Sequence, residues 1–553
     1  MIKSAGIILL SISHKKILLV LHKDGHWGFS KGRVEKNENL KNAALRELKE
    51  ETNMEPNAIF DKIFFRERYS FEKNNKKIHK EVSYFLGITC DLNIKVNADE
   101  LLNAKWFTFD EIKKLKNFPA KKSLIKIKKI ITPDNIKINI TSRKNENNQR
   151  KQIIQGSKHL YSRVAPLLLL NKKIKFYEVP KTIDTAIINE VINITKNKKS
   201  DDEIIIPRKI CELSRSVISI IPAILYRHKS ITFYQPQGCS IGERKIDLYL
   251  QIMKKFGVKI IKKNNIIKIL RNNLKNTTIK LKFPSFTGTS TALLMASMVG
   301  QKSIIKNISI EPEILEMISC LQKIGVKIKF LSERSVEVYC KKIFDKPKKI
   351  IVSEDRNVLV TTIMMALIQE QPFSYSSKNA LYLSPLVEVF KKMGVLFYST
   401  QHSFILKKNY LANLKPVEII AGHFPNFCSD WQPLIAPILC KIKGKSTIKD
   451  TVFEKRYNYI KEIYKINPSF TYQIQNGMLV IFGDKVKKKA KSKSITKVSC
   501  LDIRSGAANI IAALGEKQIT EIYNIQQIFR GYENIVKDVN SVSQKRASFL
   551  HNI

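Results

Sequence analysis

The chain has 553 residues, and its 97 Lys and Arg against 48 Asp and Glu give a formal net charge of +49. The lysines are spread along the whole chain beside abundant Ile and Asn, which disfavours a dedicated nucleic-acid surface, although a diffuse positive field attracts anionic substrates. Eight cysteines without paired close spacing predict neither a disulfide framework nor a zinc site, and no apolar run reaches the roughly 18 residues of a membrane span. We therefore expect a cytoplasmic protein with no membrane partner.

The first domain is predicted to span residues 1–133. Its apolar N-terminus alternates into Ser11, Ser13 and Lys15, which is typical of a strand rather than of a signal peptide. Pro133 and Asp134 indicate its end, and the polar run at 141–151 predicts a loop near the boundary. Residues 134–156 are then a linker and the first strand of the second, larger part of the chain.

Acidic residues in this domain are spaced for one face of a helix. Glu47, Glu50 and Glu51 stand at i, i+3 and i+4, so their carboxylates share a face. Three such carboxylates repel one another unless a cation joins them. Oxygen ligands suit Mg²⁺ or Mn²⁺, which can bridge a substrate pyrophosphate and activate water. The alternative is an exposed acidic helix face.

The wider spacing, with Gly32, Glu38 and then Arg46 followed by these glutamates, resembles the Nudix box. Asn53 replaces the last glycine of the box, but Asn tolerates the left-handed backbone that a helix exit needs. The resemblance implies an α/β/α sandwich that hydrolyses a nucleoside diphosphate-linked substrate of open identity. It also implies that Glu47 and Glu51 bind the metal, that Glu50 assists or acts on water, and that Glu38 pairs with Arg46.

A repeat is present beyond the boundary. Similar segments place glycines at Gly257, Gly325 and Gly394, which are 68 and 69 residues apart. Each segment predicts the end of an amphipathic helix, a glycine C-cap and a strand of β-branched residues. The regular period indicates repeated αβ units in a compact, pseudosymmetric fold.

Residues 235–244, Gln-Pro-Gln-Gly-Cys-Ser-Ile-Gly-Glu-Arg, place Cys239 in a predicted loop between two glycines. Arg244 lies five residues on, and a nearby cation favours the thiolate. The residues therefore suit a reactive thiol, and the alternative is a plain loop cysteine.

The stretch at 238–248 resembles the catalytic loop of the UDP-N-acetylglucosamine enolpyruvyl transferase family. Further segments occur in family order, and the resemblance covers about residues 135–553. These segments lie at 156–158, 215, 311–313, 355–356, 429–432, 452–456, 502–504 and 530–532. The family fold is a two-lobed inside-out α/β barrel of repeated units. We expect one lobe at 157–352, carrying the Cys239 loop, and the other at 353–553.

The resemblance implies transfer of enolpyruvyl from phosphoenolpyruvate to the 3-hydroxyl of UDP-N-acetylglucosamine without a cofactor. Cys239 would protonate the methylene carbon, and Asp430 would take the hydroxyl proton. The cations expected around the phosphate and carboxylate are Lys158, Arg244, Arg456, Arg504 and Arg530. The nucleotide-sugar pocket is expected to contain His159, Arg215, Lys245, Ile246, Asp247, Leu248, Phe283, Pro284, Ser285, Phe286 and Val452.

Some positions depart from the family. His159 stands where the family has Asn, Lys245 replaces a proline, and the glycine expected near Gly288 is displaced by one. These changes touch the sugar-nucleotide side, so sugar specificity stays open. Alternatives are enolpyruvyl transfer to shikimate 3-phosphate, a decayed sugar-nucleotide-binding module with an active Nudix half, and a nucleic-acid-binding Nudix fusion. The oligomeric state and the reason for the fusion also stay open.

Overall fold

The computed structural model describes residues 2–73, 76–118, 136–144, 153–236, 246–453, 456–483 and 495–551. Cys239, Arg244 and Lys245 lie outside the described residues. The loop predicted at 141–151 is wrong for residues 141–144, which continue the strand Ile136–Lys144, and its remaining residues lie outside the described ones.

The N-terminal part is built on a mixed seven-stranded sheet. Its first strand is buried from its third residue onward, which is typical of a strand covered on both faces. That strand pairs in parallel with the sixth and antiparallel with the fourth. In chain order the strands are Ile2–Ser11, Lys16–His22, Trp27–Gly28, Ser30–Arg33, Ala58–Lys73, Lys76–Thr89 and Leu101–Thr108.

The predicted acidic helix, called here the glutamate helix, spans Leu40–Thr52. Asn39 caps its start by accepting a hydrogen bond from the backbone of Asn42, and Asn53 ends it at φ 53°. The left-handed exit predicted for Asn53 is therefore confirmed. A second helix, Phe109–Lys114, begins with a capping box at Thr108 and Glu111.

The rest of the described chain forms six small sheets, three in each half. Strands of the first three are Ile174–Tyr177 with Lys348–Ile351; Ile204–Ile205, Ser230–Tyr234, Lys259–Lys263 and Ile266–Leu270; and Thr278–Lys280, Ser303–Lys306, Lys327–Ser332 and Ser335–Tyr339. Strands of the other three are Phe373–Ser376, Phe397–Ser399 and Ser403–Leu406; Glu418–Gly422, Phe427–Cys428, Gly444–Asp450, Thr471–Gln475 and Met478–Gly483; and Ile136–Lys144, Thr496–Ser499, Thr520–Tyr523 and Lys545–His551. Ile136–Lys144 thus pairs with the C-terminal strands across more than 370 intervening residues.

Helices pack inside these sheets. All 13 residues of Arg356–Ile368 and 11 of the 12 in Ile503–Leu514 are buried. A helix that is apolar all round belongs in a core, which agrees with an inside-out barrel. The remaining α-helices are Lys158–Val164, Leu167–Leu170, Ile183–Lys196, Arg208–Leu213, Val217–Arg227, Asp247–Lys255, Phe286–Ala296, Pro312–Lys323, Ser384–Met393, Gln432–Leu439, Tyr459–Ile466, Gln526–Phe529 and Ile535–Val542; 3₁₀ turns span Lys378–Leu383 and Leu411–Asn413.

The glycine repeat has the predicted backbone. Gly257, Gly325 and Gly394 take φ of +94°, +101° and +74°, each just after a helix and before a strand. This left-handed region favours glycine, so the predicted helix-to-strand units are confirmed. Within the described ranges, no helix is long and apolar enough to cross a membrane.

Candidate active site

A cavity of about 600 Å³ draws residues from both groups of sheets. Most of the predicted transferase-site residues lie in its wall. These are Lys158, His159, Arg215, Leu248, Phe283, Ser285, Phe286, Asp430, Val452, Arg456, Arg504 and Arg530. The chain segments that resemble the family therefore meet at one place.

Six predicted residues are not seen in the wall. Cys239, Arg244 and Lys245 lie outside the described residues. Ile246 is buried at the start of the helix Asp247–Lys255, and the Asp247 carboxylate lies 2.5 Å from Lys262 Nζ, on an exposed face. Pro284 stands between two wall residues without being one itself.

One group of charges in the wall, called here the Asp184 cluster, joins three distant segments. Lys158 begins a helix capped by the Ser157 hydroxyl, and its Nζ lies 2.7 Å from Asp184 Oδ2. Arg530 Nε lies 3.2 Å from Asp184 Oδ1. Burial alone would raise the pKa of Asp184, but Arg530 and Lys158 hold that pKa well below its usual value.

A second group, called here the Asp430 cluster, consists of Asp430, Arg456 and Arg504. Asp430 lies just before the helix Gln432–Leu439. Arg456 Nη1 donates to Asp430 Oδ1 at 2.7 Å, and Arg504 Nε donates to Oδ2 at 3.2 Å. Both guanidiniums are almost fully buried. Burial opposes ionisation of Asp430, but these two arginines and His159 hold the pKa of Asp430 well below its usual value.

Together the two clusters contain four cations and two carboxylates. Over all described residues of the wall, seven Lys and Arg stand against five Asp and Glu, which is an excess of two positive charges. Buried charge of one sign favours a ligand of the other, and arginine contacts orient a carboxylate or phosphate. The cavity suits a small anion with more than one negative charge.

His159 lies between the partners of the second cluster. Its Nε2 is 3.5 Å from Asp430 Oδ2 and 3.4 Å from Arg504 Nη2. Its ring also faces Phe286, whose other neighbour is the guanidinium of Arg163 at 3.7 Å. His159 therefore contacts Asp430, the expected base, directly.

Among the Asp, Glu, Lys and Arg residues of the wall, two lie outside the segments singled out in the sequence. Asp184 lies 26 residues from Lys158 and 346 from Arg530, so no spacing links them. Arg163 is buried with an unpaired Nε, and burial lowers its pKa to about 10. The acidic first turn after Thr182 was a visible signal for Asp184, but it is also ordinary helix capping.

Arg356 is held by two further wall residues, Glu311 and Glu313. Its Nη2 donates to Glu311 in a short contact, and its Nε lies 3.0 Å from Glu313 Oε1. All three stand in segments that carried the family resemblance. They form a buried ion-paired group of one guanidinium and two carboxylates beside the cavity, with a net charge of −1.

In the N-terminal part, Arg46 organises the acidic residues. It donates to both oxygens of Glu38 at 3.1 and 3.0 Å, as the resemblance implied, and to Glu47 and Glu50 at 2.9 Å each. The Glu50 side chain is 47% exposed. Glu51 is buried, its Oε2 has no hydrogen-bond partner, and burial raises its pKa to about 7.

These residues fit a divalent cation in part. Burial also raises the pKa of Glu47, and an added Cβ at Gly32 would lie 1.9 Å from its carboxylate carbon, so the glycine makes room for this side chain. An unpaired, desolvated carboxylate oxygen is what a bound cation would satisfy. However, among the described residues no three acidic, His or Cys side chains stand close enough to hold a metal, and Glu50 faces Arg46 instead.

Two family models match the chain. Residues 181–539 match the EPSP synthase (3-phosphoshikimate 1-carboxyvinyltransferase) model, and residues 2–126 match the NUDIX domain.

Curated relatives carry a more specific name. A protein of Elusimicrobium minutum is 31% identical over 62% of this chain and 78% of its own length, and one of Endomicrobium trichonymphae is 29% identical over 61% and 78%. Both are named UDP-N-acetylglucosamine 1-carboxyvinyltransferase.

A solved structure, the enolpyruvyl transferase NikO from Streptomyces tendae, is similar in fold. It has a TM-score of 0.65 at 17% identity and covers 76% of this chain and all of its own. Since the first family model spans more than half of the residues, the chain belongs to the EPSP synthase family of enolpyruvyl transferases and carries a NUDIX domain at its N-terminus.

Proposed function

We propose that the cavity transfers enolpyruvyl from phosphoenolpyruvate to the 3-hydroxyl of UDP-N-acetylglucosamine and releases phosphate. This would be the first committed step of peptidoglycan synthesis, in the cytoplasm. The observation that carries the proposal is the surplus of buried cations beside an ionised carboxylate, Asp430, in one cavity. The names of the curated relatives support this acceptor.

The proposed chemistry is an addition followed by an elimination. Asp430 takes the proton of the acceptor hydroxyl, and the resulting oxygen attacks the carbon that carries the phosphate. Cys239 gives its proton to the methylene carbon, which becomes a methyl group. The Cys239 thiolate then takes a proton back from that methyl group, which restores the double bond as the carbon–oxygen bond to phosphate breaks, and the departing phosphate takes the proton held by Asp430.

Cations serve both stages. Lys158 and Arg530 would hold one anionic group of phosphoenolpyruvate beside Asp184, and Arg456 and Arg504 would hold another beside Asp430. Charge develops on the donor in the transition state, and fixed cations stabilise it without reorganising. Arg456 also has a buried Nε without a hydrogen-bond partner, which would be a further donor if the bound anion reached it.

Phosphate release from phosphoenolpyruvate tests this function. Release that depends on added UDP-N-acetylglucosamine, and is not replaced by shikimate 3-phosphate, is the expected result. Folded protein that gives no release with either acceptor would favour the decayed binding module. Release with shikimate 3-phosphate alone would correct the acceptor.

For residues 2–126 we propose hydrolysis of a nucleoside diphosphate-linked substrate with Mg²⁺ or Mn²⁺. Glu47 and Glu51 would hold the metal, and Glu50 would assist once Arg46 releases it. The metal would polarise the pyrophosphate and activate water. Hydrolysis of a panel of nucleotide sugars and dinucleotides, with and without chelator, tests it, and chelator-insensitive hydrolysis would refute it.

A further inference from the structure

The NUDIX part is docked on two of the three segments that carry the Asp184 cluster, those of Asp184 and Arg530. Asn57 lies just after the glutamate helix, and its Nδ2 donates to Lys181 O at 2.7 Å and to Glu533 O at 3.2 Å. Lys181 precedes Thr182, the cap of the helix that carries Asp184. Glu533 lies three residues after Arg530. One amide group therefore contacts both segments.

The contact is reinforced from both sides. Asn534 Nδ2 donates to Asn57 O at 2.5 Å, and Cys90 Sγ lies 3.9 Å from Phe529 O. Asn57 is itself held in its own sheet, because its Oδ1 accepts from Cys90 N at 2.8 Å. The Oδ1 atom of Asn57 thus accepts a hydrogen bond from within the NUDIX part, and its Nδ2 atom donates hydrogen bonds to the transferase part.

The two contacted segments are also tied to each other. Lys181 N donates to Glu533 Oε1 at 2.6 Å, and Gln155 bonds both Gly531 O at 3.1 Å and Glu533 N at 2.8 Å. Displacement of either segment would therefore move Asp184 relative to Arg530. Lys158 would move with them, because its Nζ also donates to Arg530 O at 3.2 Å.

We propose that Asn57 is a positioning residue of the transferase: its side-chain amide fixes the 181–184 and 530–533 segments so that Lys158 and Arg530 are placed to bind the anionic donor. The proposal rests on the proposed transferase function for its kinetic readout. It assigns the NUDIX part a role in the transferase site besides any hydrolysis of its own.

Asn57→Asp separates the two halves of this side chain. The variant keeps an oxygen for Cys90 N, but it turns an oxygen instead of the NH₂ group toward two carbonyl oxygens, which repel it. We expect KM for phosphoenolpyruvate to rise by about tenfold or more, since two hydrogen bonds are replaced by two repulsive contacts. Asn57→Ala should give a smaller rise, and kcat should change less than threefold in both variants. Asn103→Asp is the matched control, because Asn103 Oδ1 accepts from Ala104 N within the NUDIX part.

Hydrogen exchange gives a readout that does not need transfer activity. The Gly531 and Tyr532 amides bond to Ile528 O, and their exchange should accelerate in Asn57→Asp but not in Asn103→Asp. An unchanged KM for phosphoenolpyruvate in Asn57→Asp, or a fall in kcat alone, would overturn the proposal, as would unchanged exchange at 531–532. If the unsubstituted protein transfers no enolpyruvyl while exchange responds as expected, the proposed function fails but the contact between the two parts stands.

Discussion

Replacing Asp184 by Asn removes the charge that two buried cations share. Lys158 Nζ and Arg530 Nε contact its two oxygens at 2.7 and 3.2 Å, and the side chains are 7, 9 and 12% exposed for Asp184, Lys158 and Arg530. Removing one partner of a buried ion pair costs about 3–5 kcal/mol. Since Asn keeps one acceptor oxygen, we expect a loss of about 3 kcal/mol in the free energy of unfolding at pH 7.

The pH dependence of this loss depends on the direction of the pKa shift. Arg530 and Lys158 hold the folded-state pKa of Asp184 well below its usual value, against the opposing effect of burial. A carboxyl with a depressed folded pKa contributes stability above its unfolded pKa of about 3.9 and loses that contribution as pH falls toward the folded value. The gap between the parent and Asp184→Asn should therefore be constant from pH 8 to about 5 and shrink below about pH 4.

Denaturant titration at pH 7, 5 and 3.5 measures this gap. Fluorescence of Trp431, which is fully buried next to Asp430, reports the transferase transition, and substituting Trp27 and Trp106 by Phe in all variants removes the NUDIX signal. Asp345→Asn is the control, because its pair with Lys173 is 71% exposed on the Asp side and should change nothing measurable. A loss at pH 7 no larger than that of the control, or a gap that widens below pH 4, would refute the reasoning.

Three further substitutions test the sites. Asp430→Asn should lower acceptor-dependent phosphate release about 10³-fold, as for loss of a general base. Calorimetry should show that the variant binds phosphoenolpyruvate at least as tightly as the parent, because Arg456 and Arg504 lose the carboxylate that balances part of their charge. A rate of phosphate release within tenfold of the parent would contradict this. Glu51→Gln should abolish metal-dependent nucleotide hydrolysis and leave enolpyruvyl transfer unchanged, with the exposed Glu35→Gln as control, whereas retained hydrolysis would remove Glu51 from the metal site. At pH 7, with UDP-N-acetylglucosamine present, fosfomycin should add once, at Cys239, as measured by intact-mass and peptide analysis. Burial raises the pKa of Cys211 and Cys320 to about 11 and that of Cys428 to about 12, so these thiols should not react. An adduct that survives Cys239→Ala would count against this prediction.

Local spacing accounted for the parts of the fold that the sequence predicted well. The glutamate helix and its exit at Asn53 depend on residues within one segment, and so do the helix ends at Gly257, Gly325 and Gly394. Periodicity and capping act over a few residues and can be recognised without tertiary structure. The resemblance then added the assembly of the units, which no local pattern contains.

Contacts between residues far apart in the chain could not be predicted from the sequence. Asp184 meets Arg530 at a separation of 346 residues, and Asn57 meets Glu533 at a separation of 476. The sequence around these residues does not indicate such partners. Asp184 is typical of an acidic residue at the start of a helix, and Asn57 is typical of a turn. Likewise, three glutamates on one helix face predicted a shared cation, but Arg46 takes Glu50 into its own ion pairs.

The placement of Asp430 implies that substrate binding and base strength are linked. Arg456 and Arg504 hold the pKa of this carboxylate well below its usual value, and a carboxylate so stabilised is a weak proton acceptor. In the proposed reaction the same two guanidiniums hold the anionic donor. When the donor anion binds, it offsets part of the positive charge of Arg456 and Arg504. The two guanidiniums then stabilise the ionised form of Asp430 less, and the pKa of Asp430 rises. The base would therefore become effective only in the presence of the donor, so that an acceptor hydroxyl arriving alone is not deprotonated.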